Sequence, residues 1–514
     1  MNPETSAGKS PGKLATVEIA AGFDAATQRR SPEEASSFVD AAVDLSGFSW
    51  FLLSSRQVVP LESQLLFTNA SSGTAPPTCS SVHQGMEDAW ATVFSYLPLR
   101  DVRKCERVCS MWRRLAHRAL RQLQVINFER DFPGAIEESS RVERILDLCG
   151  RRLKRVIFQV TSSNEKYAVF SSEHHLTKSM VETLAANAID LESIAIDRMI
   201  ITIGAVEAFS QLPTSLEEFS ISNCRMSCST AEVNEIVQNS LRQLLSRSPR
   251  LKRFEISLSV RPILATSGRL QGRGWTFDHF VLDENVLALL PDSIRDLSIS
   301  AGGSLKITNL HFLRGRLLES LALQRSFVSS ADLDVLVGMA SSLTTLDLTS
   351  CINITDGSLL RKLHNLRYLY LGNNRELTDD AVMGVCAGCP RLQRLSLDNC
   401  AMLTTNSLLG LGLLFELEWL CLAGVGGVDD QVLERLTNCR ELKMLDIKFC
   451  RNVTEIGLVI ILDLPELSQL DVQGVRAYSH SILQHAKRIP KTIVSEHCAS
   501  MPIHLPPLPS AVVG

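Results

Sequence analysis

Cysteine and histidine are the residues here whose spacing could hold a metal or a nucleophile. Fourteen cysteines are spread over 514 residues, and three pairs stand close together: Cys105 with Cys109, Cys224 with Cys228, and Cys386-Ala-Gly-Cys389. The last pair has the spacing of half a zinc site. Zinc takes four ligands, and no second pair stands at a finger-like interval, so these thiols read as structural. His174-His175, His480, His485, His497 and His504 lack partners at ligand spacing and read as surface residues. No phosphate-cradling glycine loop, nucleophile elbow or kinase figure occurs. The expectation is a protein that is not an enzyme, with no metal and no cofactor.

Three further cysteines recur by position. Cys351, Cys400 and Cys450 stand nine places into a figure that begins Leu343-Thr-Thr-Leu346-Asp-Leu348. The figure returns at Leu366/Leu369/Leu371, Leu392/Leu395/Leu397, Leu417/Leu420/Leu422, Leu442/Leu445/Ile447 and Leu467/Leu470/Val472, with starts 23, 26, 25, 25 and 25 residues apart. Asn374 and Val425 fill the ninth place in the other repeats. That period is the period of leucine-rich repeats, none of which can bury its apolar face alone. Fainter figures precede it at Leu153, Leu191, Leu216, Leu251, Ile294 and Leu318. The fold expected is α/β, a leucine-rich-repeat solenoid or horseshoe of about 12 repeats over residues 145–475.

The elements follow from local chemistry. Thr355, Thr378, Thr404, Asp429 and Thr454 stand at N-cap places. Apolar residues precede them (Ile354, Leu377, Leu403, Val428, Val453) and follow four places on (Leu359, Val382, Leu408, Leu433, Leu458), the pattern of a hydrophobic staple. Pro249, Pro390 and Pro465 stand just before strands, where a helix must stop. Strand alternation then sends the fourth and sixth places of each figure into the core and the third, fifth and seventh to the concave surface. By this count Tyr368, Tyr370, Arg394, Trp419, Met444 and Lys448 share the concave face, with Cys421 exposed beside them as a candidate reactive thiol. Tyr, Trp and Arg carry most interface energy, so this patch is the expected substrate-docking surface. The alternative is that these side chains pack under the chain's own tail. The matching places in the early repeats are small or charged, as at Ser193, Glu218, Arg253 and Glu255.

Composition sets the outer bounds. An apolar fraction of 45% with 21% charged residues describes a folded chain, and a net charge of −4 argues against nucleic acid as a partner. No apolar run is long enough to span a bilayer, and scattered cysteines without a secretory signal suit the reducing cytoplasm or nucleus. Residues 1–84, rich in Ala, Ser, Gly, Pro and Thr, are expected to be largely disordered. A helical domain is expected at 85–125, a linker at 126–144, and a C-terminal cap and tail at 476–514. The insertion Ser257–Asn285, with Trp275 among glycines and arginines, reads either as a lid over the concave face or as an inert loop.

Within residues 85–125, Asp101 reads as an N-cap, and Val102, Cys105, Val108, Cys109, Trp112 and Leu115 follow on one helical face. Trp90, Val93, Phe94 and Leu97 form a short apolar helix before it. Val93-Phe94-Ser95-Tyr96-Leu97, Asp101-Val102 and Val108-Cys109-Ser110-Met111-Trp112-Arg113-Arg114-Leu115 together resemble an F-box over about 40 residues. The family usually opens with Leu-Pro, where this chain has Gly85-Met86. An F-box followed by cysteine-type leucine-rich repeats is a known family arrangement. The resemblance implies the substrate-recognition subunit of an SCF-type (cullin–RING) ubiquitin ligase. The Skp-type adaptor, and through it the cullin, would be held by Trp90, Val93, Phe94, Leu97, Val102, Val108, Cys109 and Trp112. An unknown protein substrate would lie on the concave face. The competing readings are a repeat scaffold outside any ligase, with a degenerate F-box as its cap, and a small-molecule sensor.

Overall fold

The computed structural model describes residues 90–94, 97, 99–160, 174–227, 231–259, 282, 284–301, 310–326, 328–351, 354, 357–475 and 493–495. Residues 1–84, the bulk of the 257–285 insertion with Trp275, Thr355, and His480, His485, His497 and His504 lie outside them. Contacts divide the chain into two compact units. One runs to Gln124 and takes in Arg130–Pro133 and Leu148–Arg152; the other holds Val125–Glu129, Gly134–Asp147 and the chain from Leu153.

The larger unit is a parallel-sheet solenoid. Its strands are β1 Val125–Asn127, β2 Arg155–Gln159, β3 His175–Leu176, β4 Ser193–Asp197, β5 Ile200–Ile201, β6 Glu218–Met226, β7 Arg253–Ser259 and β8 Asp296–Ala301. The regular repeats supply β9 Ser320–Ala322, β10 Thr345–Asp347, β11 Tyr368–Tyr370, β12 Arg394–Ser396, β13 Trp419–Cys421, β14 Met444–Asp446, β15 Gln469–Asp471 and β16 Ile493–Ser495. They form one sheet in chain order, except that β5 pairs with β6 and β3 with β5 at its side. Leu346, Leu369, Leu395, Leu420, Leu445 and Leu470 stand opposite one another along it. These fourth-place side chains and the sixth-place ones beside them are buried. The leucine period thus becomes a continuous apolar seam, as stacking of modules requires. In the early repeats the seam is aromatic: Phe128 stacks on Phe158 at 4.8 Å, and Phe219 on Phe254 at 5.9 Å.

Two devices bind successive repeats, the second absent where Val425 fills the ninth place. The eighth place is left-handed throughout the regular repeats, at Arg325, Ser350, Asn373, Asn399, Gly424, Phe449 and Gly474. This twist aims the backbone N–H at the next repeat, as from Ser350 to the Gly372 carbonyl (2.8 Å) and from Phe449 to Gln473 (2.8 Å). The ninth-place thiols do the reverse. Cys351, Cys400 and Cys450 donate to the sixth-place carbonyls of the preceding repeat, Leu323, Leu371 and Leu422, each at 3.2 Å. Asn374 does the same, donating to Leu348 at 2.9 Å and to Leu371 at 2.8 Å. Cys and Asn interchange there because each brings a further donor to a buried carbonyl, which has two lone pairs to satisfy.

Several expectations are corrected. Residues 126–144, expected as a linker, carry part of β1, the short helix Phe128–Asp131 and the start of the helix Ser139–Cys149. Ile126, Phe128, Phe132 and Val142 are buried there, too apolar for a free connection. Within the tail, β16 adds a parallel strand to β15. Of the expected caps, Asp429 accepts from Val432 N at 3.1 Å and Thr454 from Ile456 N at 3.2 Å. Thr378 and Thr404 have the extended backbone of a cap but no side-chain cap bond. Thr404 is itself held by Asp379 of the preceding repeat, through its N–H (2.8 Å) and its hydroxyl. Asp430 holds Thr454 in the same way, with 2.8 Å to the N–H. In the stapled pairs Leu359 is half-buried, and Leu360 beside it takes the buried place.

Candidate docking surfaces

The third, fifth and seventh places of the strands form the open face of the sheet. Registry sets Tyr368, Arg394, Trp419, Met444 and Gln469 side by side as one row. All five are half-buried, with enough surface left for a partner. Arg394 lies over the Tyr368 ring at 5.5 Å, and Tyr370 meets Trp419 edge-on at 6.2 Å. Four of the six residues expected on the concave face, Tyr368, Arg394, Trp419 and Met444, therefore come together in one row.

The fifth-place row is a floor rather than a surface. Tyr370 is 3% exposed, Ser396 1% and Cys421 8%, with Asp347 and Asp471 almost wholly enclosed. Short strands on a parallel sheet bring neighbouring side chains within about 5 Å, so large third-place residues cover smaller fifth-place ones. Two expectations change. Tyr370 contributes its ring edge and its packing, not an open contact. Cys421 is no exposed nucleophile, since burial, with Asp446 nearby, raises its thiol pKa far above the ordinary range.

Carboxylates collect along this floor and the seventh place. Burial pushes Asp347 upward against bonds from Thr349 N (2.9 Å) and Gln324 Nε2 (2.5 Å). Burial likewise raises Asp446, although Lys448 N and Nζ reach it at 3.0 and 2.9 Å. Lys448 also meets Asp471 at 3.2 Å. Burial alone would lower the Lys448 ammonium, and the two carboxylates outweigh it to hold the charge. Expected as an open contact, Lys448 is tied up in a shared ion pair. The early part of the face also pairs most of its charges: Arg155 with Glu218 at 3.5 Å, Arg253 with Glu255 at 3.3 Å, while Ser193 donates to Glu218 at 2.7 Å; among the described residues Asp296 has no ion pair.

The smaller unit is helical. Residues 90–94 lead to α1 Leu99–Cys105 and α2 Ser110–Leu120. Trp112 is its hub, 5.1 Å from Trp90 and 5.5 Å from Phe94 between ring centroids. Cys109 caps α2, its sulfur accepting from Trp112 N at 3.4 Å. Asp101 is not the N-cap; it is buried in the first turn of α1 with Lys104 at 3.0 Å. Of the residues named for adaptor binding, Phe94, Val102 and Trp112 are buried in the unit's own core. Trp90, Val93, Leu97, Val108 and Cys109 are half-buried and retain surface. Phe132 is buried in this unit with Arg103 over its ring at 5.4 Å, so the short helices gain core from chain beyond them.

The chemistry of both regions is that of contact. Among the described residues no group of His, Cys, Asp and Glu is arranged to hold a metal ion, and no helix is long and apolar enough to cross a membrane.

The F-box-like family matches residues 87–122. A Caenorhabditis elegans protein, EEED8.10, whose name assigns it to RNA binding, is 24% identical over 204 residues, 38% of this chain and 26% of that protein. The chain thus spans about a quarter of the length of that relative. Among solved structures, the yeast Rad7–Elc1 complex aligns at 15% identity over 85% of this chain and 98% of that one, with a TM-score of 0.47. An internalin from Listeria monocytogenes aligns at 17% identity over 70% and 89%, TM-score 0.41. A Leptospira interrogans leucine-rich-repeat protein aligns at 14% over 74% and 97%, TM-score 0.39. F-box and leucine-rich-repeat families are typically non-catalytic adaptors.

Proposed function

We propose that this chain is the substrate-recognition subunit of an SCF-type ubiquitin ligase. In this reading the F-box-like region holds a Skp-type adaptor, which ties it to the cullin, and the open face of the sheet holds a protein substrate. The observation that carries the reading is the F-box-like match at 87–122 on the same chain as a sheet face bearing Tyr368, Arg394, Trp419 and Met444. Ubiquitin transfer would belong to other subunits, and this chain would act by proximity, raising the effective concentration of a substrate lysine. The ninth-place thiols favour the cysteine type of leucine-rich repeat. The free, buried cysteines suit a reducing compartment, cytoplasm or nucleus. An acidic open face disfavours nucleic acid, whose phosphates need a basic surface.

Co-purification of the full chain with a Skp-type adaptor tests the first half. Leu97 and Val108 keep surface without filling the core, so their joint replacement by Glu should abolish capture while leaving the thermal melt in place. Absence of capture by the unaltered chain would leave the scaffold reading, with the helical unit as a solenoid cap.

A further inference from the structure

The geometry points to an arginine- or lysine-bearing peptide segment as the occupant of the open face over β10–β13. Its cation lies beside Asp398 and its apolar stem toward the Tyr370–Trp419 pair. The inference rests on the open face being where a protein partner docks, and it names that partner's chemistry.

Unmatched charge is the first ground. Elsewhere on this face Glu218, Glu255, Asp446 and Asp471 each have a Lys or Arg within 4 Å. Among the described residues Asp347 and Asp398 of β10–β13 meet none, as Asp296 of β8 meets none; the partners of Asp347 and Asp398 are neutral. Asp398 takes Ser396 Oγ at 2.6 Å, Asn373 Nδ2 at 3.0 Å and Asn399 Nδ2 at 3.4 Å. Asp347, buried two strands away (about 10 Å), adds its field from below.

The shape of the place is the second ground. Gly372 stands at the seventh place of its repeat, and the Asp398 carboxylate leans into the space that a side chain there would fill. The acid is therefore low, half-buried and reachable from the open side. The Tyr370 ring lies one strand over, in register two residues before Asp398, and the half-buried Trp419 ring that meets it keeps surface to attract a cation. Among the described residues the nearby cation without a carboxylate partner, Arg394, sits at the start of β12, stacked on Tyr368, hydrogen-bonded to Tyr370 and about 13 Å along the strand from Asp398. Charge is thus divided across the strands, positive where they enter and negative where they leave. A phosphorylated or acidic segment would have to set its anions against Asp347 and Asp398.

The test uses the full chain and fluorescence anisotropy with a labelled glycine–serine peptide carrying arginines, beside a twin carrying glutamates. The arginine peptide should bind, weaken with added salt, and lose about tenfold in affinity on Asp398→Asn, as expected for one charge-assisted contact. Trp419→Leu should weaken it too, while Asp380→Asn, a charge-matched change on the helix Asp379–Gly388, should not. Failure of the arginine peptide to bind, equal binding to the Asp398→Asn protein, or preference for the glutamate twin would overturn the inference. Adaptor capture, measured on the same preparations, separates the two ideas: it can persist when peptide binding fails, and the reverse.

Discussion

Asp296 shows how much one residue depends on its row. It stands at the third place of β8, where burial raises its pKa to about 6, Arg253 opposing the rise and Glu319 and Glu218 adding to it. A carboxyl held above its unfolded value near ~3.9 binds its proton more tightly when folded. Its stabilising contribution is full below that unfolded value and is lost as pH climbs through about 6. Asp296→Asn should therefore be more stable than the parent at neutral pH, by about 1 kcal/mol after allowing for solvent screening, with the gap closing in acid. Paired thermal melts across pH would show it, and a gap that does not change with pH would contradict it. The thiols make the complementary case. Burial lifts Cys400 and Cys450 to about 12 and Cys421 higher still, so residue-resolved alkylation of the native protein should leave all three unmodified while the half-buried Cys109 reacts first among the described cysteines. Rapid labelling of Cys421 would mean that its row is open.

At the scale of elements, two repeats add to the helix cap a clasp from the preceding helix. Asp379 holds Thr404 and also Ser407, whose hydroxyl donates at 2.6 Å; Asp430 holds Thr454. For Asp379, burial would raise the pKa, but the bonds from Ser407 and Thr404 win and hold it below the usual carboxylate range. That share of stability is present above the unfolded value and is lost as pH falls through the folded one. Asp430→Ala should cost about 1–2 kcal/mol in denaturant melts, since it frees an N–H and a hydroxyl at once. Thr378→Ala, whose side chain makes no cap bond, should cost less than half of that. Equal costs would refute the clasp. Glycine serves close approach: a side chain at Gly388 would collide with the Arg361 backbone of the preceding turn. Phe449 is the costly exception in the left-handed places, a bulky residue with φ of 59°, its ring lying against Gly474.

For the whole molecule, the two contact regions should fail independently, because they belong to different compact units. Tyr368→Ala with Trp419→Ala should abolish substrate capture and leave adaptor capture unchanged. Tyr370 is a poorer probe, since its ring is buried and its loss would cost stability as well. Loss of both captures in the double variant would show that the open face also supports the fold.

The chain's own letters determined the period, the sheet, the inward leucines and the row of Tyr368, Arg394, Trp419 and Met444. These depend on side-chain direction along a strand, a local property. They also marked Cys351, Cys400 and Cys450 as one set before any partner was known. Only the tertiary structure decided that Cys421 and Tyr370 form a floor, that Lys448 is shared between two acids, and that Asp379 and Asp430 act on the following repeat. It also decided that residues 125–127 and 493–495 extend the sheet at its ends. The reason is physical: exposure and pairing at each place are set by residues about 25 positions away in the neighbouring repeat. Their size and charge share one sheet with it but no local pattern.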